Sequence, residues 1–140
     1  MAYSQQTNRV MARIEGVPAA IRDQLKPSLA QSAGELSGLI AHLAETSRDT
    51  GALIESIEVT PPGGTTPPYS QPGGSRTAHD LETIVTVGNE DVRYPHLVEY
   101  GSINAPEQPF FWPAVRTLQK RINGRTNRAI RKIVTQWWSK

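Results

Sequence analysis

Few side chains in this 140-residue sequence are spaced for covalent chemistry. Its three histidines, His42, His79 and His96, fall in no HExxH or related ligand pattern, so the sequence implies no metal centre. His79 adjoins Asp80 and lies four residues after Ser75, and these types would supply a nucleophile, a base and its orienter. No GxSxG turn surrounds the serine, however, and the adjacency carries no catalytic reading. Glu55 with Glu58, and Glu90 with Asp91, offer paired carboxylates near strand ends, where solvated charge is the ordinary role. The pairs Gly63-Gly64 and Gly73-Gly74 do not lead into a GK[ST] helix start and so make no phosphate loop. The absence of cysteine removes thiol nucleophiles, thiolate zinc sites and disulfides together. The residues imply no cofactor and no enzyme.

What remains is charge, and it is divided along the chain. Residues 1 to 107 hold 7 Lys or Arg and all 13 Asp and Glu, whereas residues 108 to 140 hold 8 Lys or Arg and no acid. An acidic body and a basic arm attract each other between subunits, and a basic arm also attracts nucleic acid. On a helix, Arg121, Arg125, Arg128 and Lys132, spaced 4, 3 and 4, form a stripe about 90° from the apolar one. It is a candidate channel or intersubunit surface. No zinc-finger or RRM signature accompanies it, so DNA contact would be sequence-independent and salt-sensitive.

The elements that must position these groups follow from periodicity. The length suits a single domain over residues 1–140. Val10 and Ile14 suggest a short helix over 4–15, ended by Gly16. Ile21, Leu25, Leu29, Ala33, Leu36, Ile40 and Leu43 predict an amphipathic helix from Pro18 to about Glu45, kinked or divided at Pro27. Gly34 and Gly38 on it would admit another backbone. Ser47, Asp49 or Thr50 would cap a helical turn holding Leu53 and Ile57. "SIEVT" and the stretch from Asp80 to Gly88 read as antiparallel strands, the second with Leu81, Thr83, Val85 and Val87 on one face. Between them, residues 61–79 contain PPGG, PP and PGG and read as a projecting, mobile loop, ordered by a neighbour through residues such as Pro67, Pro68 and Tyr69. Phe111, Val115, Leu118, Ile122, Thr126, Ala129, Ile133 and Trp137 keep helical phase through Asn123-Gly124, predicting one helix over 113–138. The fold class expected is α+β: a long N-terminal amphipathic helix and a long basic C-terminal helix packed on a small antiparallel sheet with a long projecting loop. No run reaches the roughly 18 apolar residues of a membrane span, and "MAYSQQTNR" lacks a signal-peptide core, so a soluble, cytoplasmically made protein is expected.

The stretch "VRYPHLVEYGSINAPEQPFFWPAV", residues 92–115, reads as a helical turn from Pro95 closed by Gly101, then a proline-stiffened crossing that latches Phe110, Phe111 and Trp112 to the base of the last helix. Tyr94, His96, Val98, Glu99, Tyr100, Gly101, Pro106, Pro109, Phe110, Pro113 and Ala114 make a pattern that resembles the neck, tail-completion or minor-tail-component family of long-tailed phages. Thr50, Gly51, Leu53, Ser56 and Ile57 resemble that family's upstream element. The chain departs from the pattern in its Phe110-Phe111-Trp112 run and its Pro/Gly-rich loop. The resemblance implies a non-enzymatic virion protein that assembles in the host cytoplasm as a homo-oligomeric ring, a hexamer, at the head-tail junction or top of the tail tube. Such a ring joins connector or head-closure proteins to the tail tube or tail terminator, with DNA passing through its channel without sequence specificity and no membrane involved. Under it, a semi-buried Glu99 would pair with an Arg of the last helix. The alternative is a nonspecific DNA-binding protein that uses the basic C-terminal helix.

Overall fold

A computed structural model describes residues 22–45, 50–103 and 106–138. Their order is α1 (Lys26–Ala44), α2 (Thr50–Glu55), β1 (Glu58–Thr60), β2 (Ile84–Thr86), α3 (Pro95–Tyr100) and α4 (Phe111–Trp138). The chain is thus a mixed helix and strand structure, with one two-stranded antiparallel sheet among the described residues. The helix expected over 4–15, the start expected at Pro18 and the cap candidates Ser47 and Asp49 lie outside the described residues.

Pro27 divides the predicted amphipathic helix rather than bending it. Residues 23–25 form a turn, and α1 begins at Lys26 with the proline in its first turn. A proline there loses no helical bond, since first-turn amides have no partner inside the helix. From this start Ala33, Ile40 and Ala44 are buried, and Leu36, Leu39 and Leu43 pack on the core. Among the described residues no backbone approaches Gly34 or Gly38: the space a Cβ would enter is open at both.

The strands are shorter than their β-branched runs suggest. β1 and β2 pair in register Glu58↔Thr86, Val59↔Val85 and Thr60↔Ile84. Pro61 and Pro62 stop β1 by removing two donors. The expected start of β2 at Asp80 is instead a turn closed by the Glu82 amide on the His79 carbonyl at 3.2 Å. Of the predicted face, Val85 and Val87 reach the core cluster, while Leu81 and Thr83 are half-buried outside it. Ile84 and Thr86, on the opposite face, are buried as well.

The 61–79 segment, expected without structure of its own, carries hydrogen bonds along both of its arms. The Thr66 amide donates to the Arg76 carbonyl at 2.8 Å, the Ala78 amide to Gly64 at 2.8 Å and the Gly63 amide to Ala78 at 3.1 Å. Its polar side chains turn inward: the Thr66 hydroxyl donates to the Gly74 carbonyl at 2.8 Å, and Thr66 and Ser70 are buried. Gln71 and Val87 exchange amide bonds of 2.8 and 3.0 Å, which fastens the segment beside the end of β2. Hydroxyls that satisfy the segment's own carbonyls supply the pairing that proline and glycine withhold.

The core joins Ile40 and Ala44 of α1, Leu53 of α2, Val87, Val92, Phe110 and the first turn of α4 through Phe111 and Ala114. Ser56 ties α2 to the end of β2: its hydroxyl donates to the Leu53 carbonyl at 2.6 Å and accepts the Gly88 amide at 3.0 Å. At Gly88, φ is +95° and a Cβ would lie 2.8 Å from the Val92 carbonyl oxygen, so only glycine lets the chain turn closely into α3. α4, with 28 residues, is about 42 Å long at 1.5 Å per residue. It runs through Asn123-Gly124 as the apolar phase predicts, and its main partner is α1.

Candidate functional site

α4 begins two residues before Pro113, and the reason lies in α3. The sequence before α4, "PEQPF", has no Ser, Thr, Asp or Asn adjoining the first turn to cap its free amides. Glu99 supplies the cap from α3: one carboxylate oxygen accepts the Phe110 amide at 2.8 Å and the Phe111 amide at 2.9 Å, and the other accepts Trp112 at 3.1 Å. Pro113 has no donor to satisfy. Glu99 is buried and forms no ion pair among the described residues, so its charge is met by these amides and by the positive end of the α4 dipole. The expected pairing of Glu99 with an arginine of α4 is therefore replaced by a clasp on backbone. An arginine on the exposed flank of a helix does not reach the helix's own amide end.

Local chemistry aims Glu99 there. Pro95 opens α3, and the Gly101 amide, at φ +82°, closes it on the Leu97 carbonyl at 2.9 Å. The Gln108 amide then donates to the Val98 carbonyl at 2.8 Å, which returns the crossing over α3 and brings Phe110 to the carboxylate. Phe110 is fully buried beside the clasp. Outside it, the Trp112 indole N–H donates to the Tyr100 hydroxyl at 2.6 Å, and the Phe111 and Trp112 rings meet edge to face at 5.0 Å. Tyr94 caps α3 without a side-chain bond and packs on the core; Pro109 is exposed in the crossing.

The outer surface of this latch is apolar. Leu97 is 46% exposed, Tyr100 66%, Ile103 fully and Trp112 36%, with His96 exposed beside them. Leu97 and Tyr100 share a face of α3 at i, i+3, and the Tyr100–Trp112 bond carries the surface to α4. Beneath it is a cavity of about 60 Å³ lined by Gln71, Pro72, Val87, His96, Tyr100 and Phe110 among others. Small-molecule sites start near 300 Å³, so this cavity has room for about one side chain and not for a metabolite. A second hollow, an open groove of about 600 Å³ between the start of α1 and β1, is lined by Pro27, Ala30, Val59, Pro61 and Pro62; its Lys26 is paired with Asp23 at 2.9 Å.

The basic stripe is split. Arg125 grips Glu35 of α1 with two bonds of 2.7 and 3.1 Å and reaches the Ser32 hydroxyl at 3.1 Å; Arg121 lies 3.4 Å from the same carboxylate. Hydrogen bonding from Arg125 holds the Glu35 carboxyl below the ordinary carboxylate range; burial opposes this, and the Arg121 charge assists it. Arg128 and Lys132 are exposed and make no ion pair among the described residues. Arg121 and Arg125 thus join two helices of one chain.

In the 61–79 segment Pro67 is half-buried, Pro68 is exposed, and Tyr69 is 53% exposed with the Arg93 guanidinium 3.8 Å over its ring. Ser75, His79 and Asp80 make no hydrogen-bonded triad: the His79 amide donates to Glu82, and Asp80 faces Arg22 at 3.9 Å. No three His, Asp or Glu side chains converge as a metal site among the described residues, and no helix there is long and apolar enough to cross a membrane. Two structural contacts escape sequence reasoning, the Glu99 clasp and the Glu35 clamp. The missing cap before α4 was a signal for the first. In comparisons with known proteins, no family model, no curated protein and no solved structure matches the chain.

Proposed function

We propose that this chain is a non-enzymatic structural subunit of a phage particle, a neck or tail-completion protein that assembles as a six-membered ring at the head-tail junction or the top of the tail tube. The observation that carries the reading is the latch. The two halves of the resembling pattern, Tyr94 to Gly101 and Pro106 to Ala114, meet through the Glu99 clasp and present Leu97, Tyr100 and Trp112 outward, with Ile103 exposed between them. An exposed apolar surface on a rigid root suits a subunit that meets neighbours. In this reading the helices packed on the small sheet form the body, and the 61–79 segment projects with Pro67, Pro68 and Tyr69 towards the next copy. The flanking partners are connector or head-closure proteins on one side and the tail tube or terminator on the other, with DNA in the channel. The protein is made in the host cytoplasm and ends in the virion.

The test is the solution mass by light scattering, with electron micrographs of the same sample. Closed rings of six are expected, and the double substitution Leu97→Ser/Ile103→Ser is expected to return the protein to monomer while shifting the unfolding midpoint little. A stable monomer that also fails to join purified connector or tail particles would overturn the reading.

A further inference from the structure

The partition of the basic arm assigns a surface. Of the cations on α4, Arg121 and Arg125 are engaged by Glu35, while Arg116, Lys120, Arg128, Arg131 and Lys132 are exposed and make no ion pair among the described residues. We infer that this outer face of α4 binds the phosphate backbone of duplex nucleic acid through those five side chains.

Geometry and composition both favour a polyanion. At 1.5 Å and about 100° per residue, the five cations span about 24 Å of the helix and an arc of about 160°. An arc that wide lets long side chains reach both phosphate rows beside a groove about 12 Å across, where a narrow stripe would reach one. Residues 108–140 contain no carboxylate to repel phosphate, and Asn123 and Asn127, at the edge of the same arc, add neutral hydrogen-bond donors of the kind that contact backbone. Among the side chains described, Val134 is the large apolar residue exposed along it. A protein interface core is depleted in charge and rich in apolar contact, which describes the Leu97–Trp112 surface and not this one. Among the described residues the carboxylates without ion pairs, Glu55, Glu58, Glu90, Asp91, Glu107 and the buried Glu99, lie outside α4, which makes α4 the face that suits nucleic acid. The inference rests on the charge of one helix and holds for a single chain, independently of the ring.

The experiment titrates the full chain into a fluorescent 30-base-pair duplex and follows anisotropy from 50 to 200 mM salt. Five phosphate contacts predict a slope of about −4.5 in log K against log salt. Arg128→Gln/Lys132→Gln is compared with Arg76→Gln/Arg93→Gln, which removes equal charge from the body. The first is expected to flatten the slope by about two and weaken binding at least tenfold at 100 mM salt; the second is expected to change affinity less than threefold. Circular dichroism checks that both fold, and the slope of the unsubstituted protein is a readout that needs no variant. Absence of binding at 50 mM salt, or equal weakening by the two doubles, overturns the inference. So does a lowered solution mass with unchanged duplex binding for Arg128→Gln/Lys132→Gln, which would give the face to the carboxylates of a second copy.

Discussion

Two carboxylates hold α4 in different ways. Glu99 grips the helix at its root through three backbone amides, in a buried site with no cation partner among the described residues. Glu35 grips it along its length through two guanidiniums, where both Glu35 and Arg121 retain solvent contact. Backbone amides are fixed by the helix and this end of it is mostly buried, so the first contact is rigid and little screened. Guanidiniums on flexible stems in a wetter site give a contact that salt and acid weaken. The acidic body and basic arm therefore begin to neutralise each other inside one chain, and the charge left over is the part of the arm that faces outward.

The largest effect separating the two grips is expected at the root. Glu99→Ala leaves three amides at the buried helix end without their acceptor and should cost about 3 kcal/mol, at 1 to 3 kcal/mol for each unsatisfied group after partial access of water. Glu99→Gln keeps the shape and one good acceptor, and should cost about half as much. Urea unfolding followed by circular dichroism measures both. A loss below about 1 kcal/mol for the alanine variant would mean that packing of Phe110 alone fixes the start of α4.

Glu35→Gln should cost less and should carry a pH signature of its own. The folded state lowers the Glu35 pKa, so its contribution is fully present above the ordinary carboxylate range and is lost as pH falls through the depressed folded value. The unfolding midpoint of the unsubstituted protein should therefore approach that of Glu35→Gln on acidification. In 1 M salt the same two should converge at neutral pH, while the Glu99→Ala deficit persists. A Glu35→Gln deficit that ignored both pH and salt would show that shape, not charge, joins α1 to α4 there.

The contrast also explains what could be read in advance. α4 was legible because its apolar residues keep phase through Asn123-Gly124, and α3 because Pro95 and Gly101 bracket it; both signals lie within a few residues. The Glu35–Arg125 contact joins residues 90 apart, and nothing local in either helix distinguishes it from solvated charge. Glu99 was singled out through its pattern, but its partners are backbone groups, which no side-chain spacing reveals. The 61–79 segment misled by composition: Thr66 and Ser70 look like surface residues until their hydroxyls meet carbonyls of the same segment.

The smallest effect tests whether the outer surface of the latch belongs to the fold or to a neighbour. Tyr100→Phe removes the acceptor of the Trp112 indole N–H, a 2.6 Å bond between two exposed side chains. Water replaces such an acceptor cheaply, so the loss of stability should be at most about 0.5 kcal/mol. The proposed ring, if held by apolar contact at Leu97 and Ile103, should survive this change because the phenylalanine keeps the aromatic face. Collapse of the ring on Tyr100→Phe, with Leu97→Ser/Ile103→Ser still assembled, would instead make the tyrosine hydroxyl the group that the neighbour recognises.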